Sequence, residues 1–168
     1  MAYHAHQQAA QSISARCAII TLSDTRTEAT DKSGQAIRSL LASANHTVAL
    51  HKIIPDDPDA LEPLLLSCLA DPNIDCILTN GGTGISPRDQ TIDIIAKFID
   101  QPLPGFGELF RMLSWDQIKS GAMLSRAVGG IAQGKPLFAM PGSTKAVELA
   151  MTQLVIPELG HLLAELRK

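Results

Sequence analysis

Cys76-Ile77-Leu78-Thr79-Asn80-Gly81-Gly82-Thr83-Gly84-Ile85-Ser86-Pro87-Arg88-Asp89 is the stretch that decides how this chain folds. Cys76 to Thr79 is short, branched and apolar, the composition of a buried strand. Three glycines within the next few residues, Gly81, Gly82 and Gly84, let backbone N–H groups turn toward an anion with no Cβ in the way. The spacing beyond them predicts a helix from Pro87 to about Phe98, with Ile92, Ile95 and Ile99 in register. A strand, a glycine loop and a helix form the junction at which α/β proteins hold their ligands. The loop is not a Walker A sequence, because no Gly-Lys-Ser or Gly-Lys-Thr follows, and it lacks the Gly-x-Gly-x-x-Gly of dinucleotide folds. Gly105-Phe106-Gly107 is a weaker match still, with no strand before it. On spacing alone the loop is either a phosphate cradle or a tight turn that needs glycine.

Working outward, Arg16 to Ser23 reads as a buried strand, followed by a polar loop from Asp24 to Lys32. A helix is expected over Ser33 to Ala44, with Ile37, Leu40, Leu41 and Ala44 on one face. Thr47 to Ile54 is a second strand, stopped by Pro55-Asp56-Asp57-Pro58 before a helix from Asp59 to Ala70. After Gln101-Pro102-Leu103-Pro104-Gly105 breaks the rhythm, Phe106 to Ser114 has helical spacing, and Trp115 to Leu124 shows no clear period. Ala127 to Gln133 and Lys135 to Met140 read as strands separated by Gly134, and Pro141-Gly142-Ser143-Thr144 opens the terminal helices. Strands alternating with helices predict an α/β fold, a three-layer αβα sandwich around a mainly parallel central sheet.

The 168 residues, 45% of them hydrophobic, suffice for one domain with a sizeable core, expected over residues 15–168 after a disordered tail of residues 1–14. A formal net charge of -3 argues against a nucleic-acid partner. Cys17, Cys68 and Cys76 are odd in number, sit in apolar surroundings and form no Cys-x-x-Cys pair, which suits reduced core residues of a cytoplasmic protein. The tail has neither the basic start nor the apolar core of a signal peptide, and no run reaches membrane-spanning length. His4 and His6 lie on that polar tail, and His46, His51 and His161 are scattered without the spacing of a zinc site.

Four strand ends carry small or acidic residues just before a helix: Ser23-Asp24, Pro55-Asp56-Asp57, Asn80 to Asp89, and Pro141-Gly142-Ser143-Thr144. In a parallel sheet these carboxyl ends line one crevice. Asp57 is the natural N-cap before Pro58. Asp89 has two readings, as the acidic member of a capping box over Ser86-Pro87-Arg88-Asp89 or as a functional carboxylate. Asp56 has no obvious structural duty. Carboxylates beside a phosphate cradle would repel an anionic ligand unless a divalent cation bridged them, which points to Mg²⁺ held by Asp56 and Asp89. Arg88, Arg126 and Lys145 could add positive charge, and Ser143 and Thr144 stand at a helix N-terminus suited to an anion.

From about Arg16 to Pro157 the chain resembles the MoaB/MogA family of molybdenum cofactor biosynthesis proteins, which includes the G domain of gephyrin. The resemblance rests on Thr21-Leu22-Ser23-Asp24, Asp31-Lys32-Ser33-Gly34, Ile54-Pro55-Asp56, Thr79 to Gly84, Arg88-Asp89, Gly105-Phe106-Gly107-Glu108, Leu124-Ser125-Arg126 and Met140-Pro141-Gly142-Ser143. It implies a MogA-like fold and adenylylation of molybdopterin, in which the terminal phosphate attacks the α-phosphorus of MgATP and pyrophosphate leaves. ATP and molybdopterin are then the substrates and Mg²⁺ the cofactor, with molybdate inserted afterwards by a MoeA-like partner. The glycine loop and the Pro141-Gly142-Ser143 loop match the family's binding loops. Asp56 and Asp89 match two functionally important acidic positions.

The expected binding set is Ser23, Asp24, Gly81, Gly82, Thr83, Gly84, Ser86, Arg88, Pro141, Gly142, Ser143, Thr144 and Lys145, with Asp56 and Asp89 catalytic. Phe110 to Trp115, Ser125 to Gly130 and Phe138 to Lys145 look closer to the MoaB branch, whose members are not uniformly active. Some lack the acidic residues that this chain keeps at Asp56 and Asp89. The alternative is a non-catalytic, molybdopterin-binding carrier or assembly protein. Family members assemble as trimers, and MoaB-type ones often as hexamers. Phe106, Phe110, Met112 and Trp115 then either face a neighbouring subunit or cover the core.

Overall fold

The computed structural model describes residues 12–86 and 89–168. Most of the expected tail, with His4 and His6, lies outside the described residues, as do Pro87 and Arg88.

Alternation at period two is the key to the core. In strand β1 (Arg16–Leu22), Cys17 and Ile19 point into one buried cluster while Ala18, Ile20 and Leu22 point into the other. Strand β3 (Cys76–Asn80) does the same with Cys76 and Leu78 against Ile77. A strand buried on both faces needs helices on both sides, which a parallel βα arrangement supplies. Helices α1 (Lys32–Ser43), α4 (Pro104–Ile118), α5 (Thr144–Ala150) and α6 (Ile156–Leu166) cover the first face, and α2 (Pro58–Ala70) and α3 (Thr91–Phe98) the second. Each fully buried Leu or Ile, such as Ile37, Leu41, Leu61 and Leu65, contributes about 2 kcal/mol.

Among the described residues the sheet has six strands in the order β2-β1-β3-β6-β5-β4, with β2 at Thr47–Ile54, β4 at Gln101–Pro102, β5 at Val128–Ala132 and β6 at Lys135–Met140. β2, β1, β3 and β6 are parallel neighbours, with Ile19 opposite Leu78 and Leu78 opposite Phe138. β5 runs antiparallel to β6 and to β4. The β5–β6 connection is a hairpin over Gln133 and Gly134, both at positive φ. This pair of positive φ values matches the twist of the strands, so Gly134 marks a reversal of direction within an otherwise parallel sheet.

Three helices start where local chemistry places them. Asp31, Asp57 and Ser143 each accept a backbone N–H of the first turn, from Gly34, Asp59 and Ala146 respectively. The helix expected from Pro87 begins instead at Thr91, and its cap residue Gln90 makes no side-chain cap bond. Tertiary anchors on Thr91 and Asp93 fix that first turn, as described below. α4 also outruns its expected end at Ser114, continuing to Ile118 and into a 3-10 segment over Lys119–Leu124. Phe106 and Phe110 are buried on α4, whereas Met112 and Trp115 are exposed, together with Leu109 and Ile118. The four large side chains therefore divide between the core and an outer apolar face. α5 passes into α6 through a π-helical turn, Met151–Val155, just before Pro157, which has no N–H to return to the preceding turn. Cys17, Cys68 and Cys76 are buried and free. No helix among the described residues is long and apolar enough to cross a membrane.

Candidate active site at the carboxyl edge of the sheet

Because β2, β1, β3 and β6 are parallel neighbours, the loops after all four meet at one edge. The glycine loop occupies the middle. Gly81 adopts φ +102 and donates its N–H to the Met140 carbonyl at 3.0 Å, and a Cβ there would run into the Leu22 carbonyl oxygen. Gly82 adopts φ +63, where a Cβ would meet the Thr91 hydroxyl and stand 2.7 Å from Asp56 Oδ1. These left-handed conformations and close approaches explain the glycines as backbone requirements.

Both sequence-identified carboxylates lean on this loop. Asp56 Oδ1 accepts the Thr91 hydroxyl at 3.0 Å, and the Asp56 N–H donates to Asp24 Oδ1 at 3.2 Å. Asp89 Oδ2 accepts the Ser86 N–H at 2.8 Å, and the Asp89 N–H donates back to the Ser86 carbonyl at 2.8 Å. A Cβ on Gly84 would lie 2.7 Å from Asp89 Oδ2. Ser86 and Asp89 thus make the backbone-to-carboxylate half of a capping box, but they close a loop, and the helix starts later. Arg126 braces the same loop. Its N–H donates to the Thr83 carbonyl at 3.2 Å, one guanidinium nitrogen to the Asp89 carbonyl at 3.4 Å, and another to Asp93 Oδ1 at 2.5 Å.

Among the described residues the polar loops line two separate hollows where a single crevice was expected, one beside the glycine loop and one at the ends of β1 and β2, and neither is lined by Asp56 or Asp89. The larger, about 1050 Å³, lies between Thr83, Gly84, Pro141, Ser143, Thr144 and Lys145 on one side and the end of α4 with the 3-10 segment on the other. The second, about 750 Å³, takes in Ser23, Asp24 and Pro55 together with Arg26, Arg38 and His51. Ser23 also has a local duty, its hydroxyl accepting the N–H groups of Thr25 and Arg26 at 3.3 and 3.2 Å. Gly142 is covered by Arg26, whose guanidinium donates to its carbonyl at 2.7 Å.

A buried polar network beneath the loops escaped the sequence reading. Asp31, wholly buried, accepts the Thr21 hydroxyl at 2.7 Å and the Gly34 N–H at 3.0 Å, with His51 Nε2 at 3.0 Å. Asn80 donates to Thr21 Oγ1 at 2.9 Å and accepts the Ser33 hydroxyl at 2.7 Å, while Ser33 accepts from Arg26 at 2.7 Å. Burial by itself would raise the Asp31 pKa, but the donors Thr21, Gly34, His51 and Ser33 outweigh it and hold the carboxyl below its ordinary value. The available signal was a polar residue at or next to the end of each of two apolar strands, Asn80 and Thr21, where a buried amide or hydroxyl demands a partner.

The oxygen-only donors Asp56 and Asp89 are of the kind Mg²⁺ takes, through one or two carboxylates completed by substrate phosphates. Among the described residues no three His, Cys, Asp or Glu side chains gather as a metal cage.

A doubly covered, mainly parallel sheet with a glycine loop beside a cleft at its carboxyl edge defines an α/β ligand-binding domain, and residues 18–161 match the family described as "Probable molybdopterin binding domain". The chain is 50% identical to the molybdenum cofactor biosynthesis protein B of Bacillus cereus over 154 residues, 91% of each chain. It is 48% identical to the Bacillus subtilis strain 168 protein of the same name over 169 residues, 100% of this chain and 99% of that one. A crystal structure of a molybdenum cofactor biosynthesis protein B superposes with a TM-score of 0.90 at 49% identity, covering 92% of this chain and 97% of that chain. The chain belongs to the molybdenum cofactor biosynthesis protein B family, MoaB.

Proposed function

We propose that this protein acts in molybdenum cofactor biosynthesis as a molybdopterin adenylyltransferase. The observation that carries the reading is the pair of carboxylates, Asp56 and Asp89, each packed against a different glycine of one loop. In the proposed step an oxygen of the molybdopterin terminal phosphate forms a bond to the α-phosphorus of ATP. The bond from that phosphorus to the β-phosphate bridging oxygen breaks, and pyrophosphate leaves. The protein supplies no nucleophile, so its task is to position two anionic substrates and balance their charge. Asp56 and Asp89 would hold Mg²⁺, which when bound neutralises phosphate charge. Thr83, Gly84 and the Ser143-Thr144 turn offer the larger cleft's polar contacts, Lys145 adds a cation, and Ser23 and Asp24 face the second cleft.

A second reading is a non-catalytic molybdopterin carrier, and one observation favours it. Asp56 Oδ1 and Asp89 Oδ2 already accept hydrogen bonds within the fold, from Thr91 and Ser86. Incubation of the purified protein with molybdopterin and MgATP separates the two. Adenylylated molybdopterin with stoichiometric pyrophosphate is expected, and bound molybdopterin without product would establish the carrier.

The exposed Leu109, Met112, Trp115 and Ile118 along α4 support assembly as a homo-trimer or hexamer, since so much apolar surface on one helix calls for a covering partner. Sedimentation at micromolar concentration should give a trimer or hexamer mass, and a monomer would overturn this assignment.

A further inference from the structure

Arg26 links two loops that the chain holds far apart in sequence. Its guanidinium donates to the Ser33 hydroxyl at 2.7 Å and to the Gly142 carbonyl at 2.7 Å, and stands 3.6 Å from Asp31 Oδ1. These partners come from two separate segments, and Gly142 is 116 residues away in sequence. Ser33 is itself fixed by Asn80, which immediately precedes the glycine loop.

The geometry points to Arg26 as a positioning residue that sets the Pro141-to-Thr144 turn against the glycine loop. The two loops touch, for a Cβ on Gly142 would lie 3.2 Å from Gly81 Cα, so the direction of the Gly142 carbonyl governs how α5 is aimed. Ser143 caps that helix, and Ser143, Thr144 and Lys145 line the larger cleft. Arg26 itself lines the second cleft, so one guanidinium ties the two hollows together. A planar fork can hold Ser33 and Gly142 simultaneously, whereas a lysine ammonium of different reach and geometry cannot reproduce both bonds. The consequence for substrate rests on the adenylyltransferase reading, while the clamp itself does not.

The test uses the full chain with Arg26→Gln and Arg26→Lys, and with Arg167→Gln as control. Arg167 pairs with Asp75 at 3.2 Å at the opposite, amino edge of the sheet. In ligand-free protein, amide hydrogen exchange over residues 142–147 should rise roughly tenfold in Arg26→Gln, the worth of a hydrogen bond to a charged group, and less in Arg26→Lys. Arg167→Gln should leave it unchanged. With molybdopterin and MgATP, Arg26→Gln should raise the molybdopterin KM by roughly tenfold and leave kcat within about twofold. Exchange equal to wild type in Arg26→Gln overturns the clamp. If Arg26→Gln does not fold, wild-type exchange in Arg26→Lys overturns it equally. A wild-type protein that forms no adenylylated product defeats the adenylyltransferase reading, and the exchange measurement still decides the clamp.

Discussion

Asp31 and the pair Asp56 and Asp89 stand at the same edge of the sheet but are built in opposite ways. Asp31 is sealed from solvent and satisfied by hydroxyl, backbone and imidazole partners. Asp56 and Asp89 are half-buried and reach the surface of the glycine loop, where a ligand could meet them. A carboxylate whose oxygens are all committed inside the protein serves the scaffold, because moving any donor to a ligand would strand a buried charge. Half-buried carboxylates that reach solvent can change partners at lower cost, because water can replace a lost donor.

The largest effect expected from this contrast is on stability at Asp31. Asp31→Asn places an amide NH₂ against donors that the carboxylate accepted and removes the charge facing Arg26 at 3.6 Å, at a cost of about 3 kcal/mol in urea unfolding. A loss below about 1 kcal/mol would erase the distinction. The pH dependence has a definite sign. The folded Asp31 pKa lies below the ordinary 3.8, so its contribution is complete above that value and is lost as pH falls through the folded value. Unfolding midpoints measured from pH 6 down to pH 2 should fall less steeply in Asp31→Asn than in wild type.

Asp89→Asn should reverse the pattern, lowering adenylylation about 100-fold, the scale of removing a charge-stabilising group, with molybdopterin binding largely retained. Its urea unfolding should shift by less than about 1 kcal/mol, because the side-chain oxygen can still accept from Ser86. Unchanged turnover would move Asp89 into the class of Asp31. The smallest effect is expected at the loop backbone. Gly82→Ala forces a Cβ into φ +63 beside the Thr91 hydroxyl and Asp56, costing about 2 kcal/mol in thermal unfolding. Since Asp56 takes its bond from that same Thr91, turnover should fall with it, and a neutral outcome on both measures would show that the loop can relax away from the acids.

Much of this was legible from residues in order. Thr47–Ile54 and Lys135–Met140 are strands at the expected bounds, and Asp57 caps α2 beside Pro58 as its position suggests. Asp56 stood out as an acid at a strand end with no capping duty and Asp89 as the acid that follows the glycine loop, and both lie against that loop. What escaped were features whose partners are remote. The Thr21–Asn80 and Ser33–Asn80 bonds join residues 59 and 47 apart, and a polar side chain ending an apolar strand does not say who will satisfy it. The start of α3 was misread for a related reason. Ser86-Pro87 is a strong local start signal, but Thr91 is held by Asp56 and Asp93 by Arg126. The Ser86–Asp89 bond forms but closes a loop, and the helix begins only where these tertiary bonds hold its first turn.

Local patterns are set by neighbours in the chain, so the sequence by itself determined the βα rhythm, the buried strands, the glycine loop and the acids beside it. Only the tertiary structure decided that the parallel sheet reverses at Gln133-Gly134, that the loops enclose two hollows, and that Arg26 and Asp31 bind them from below. Those outcomes depend on which distant polar groups are sealed from water together, and a buried donor or acceptor takes whatever partner the packing of the whole chain brings within reach.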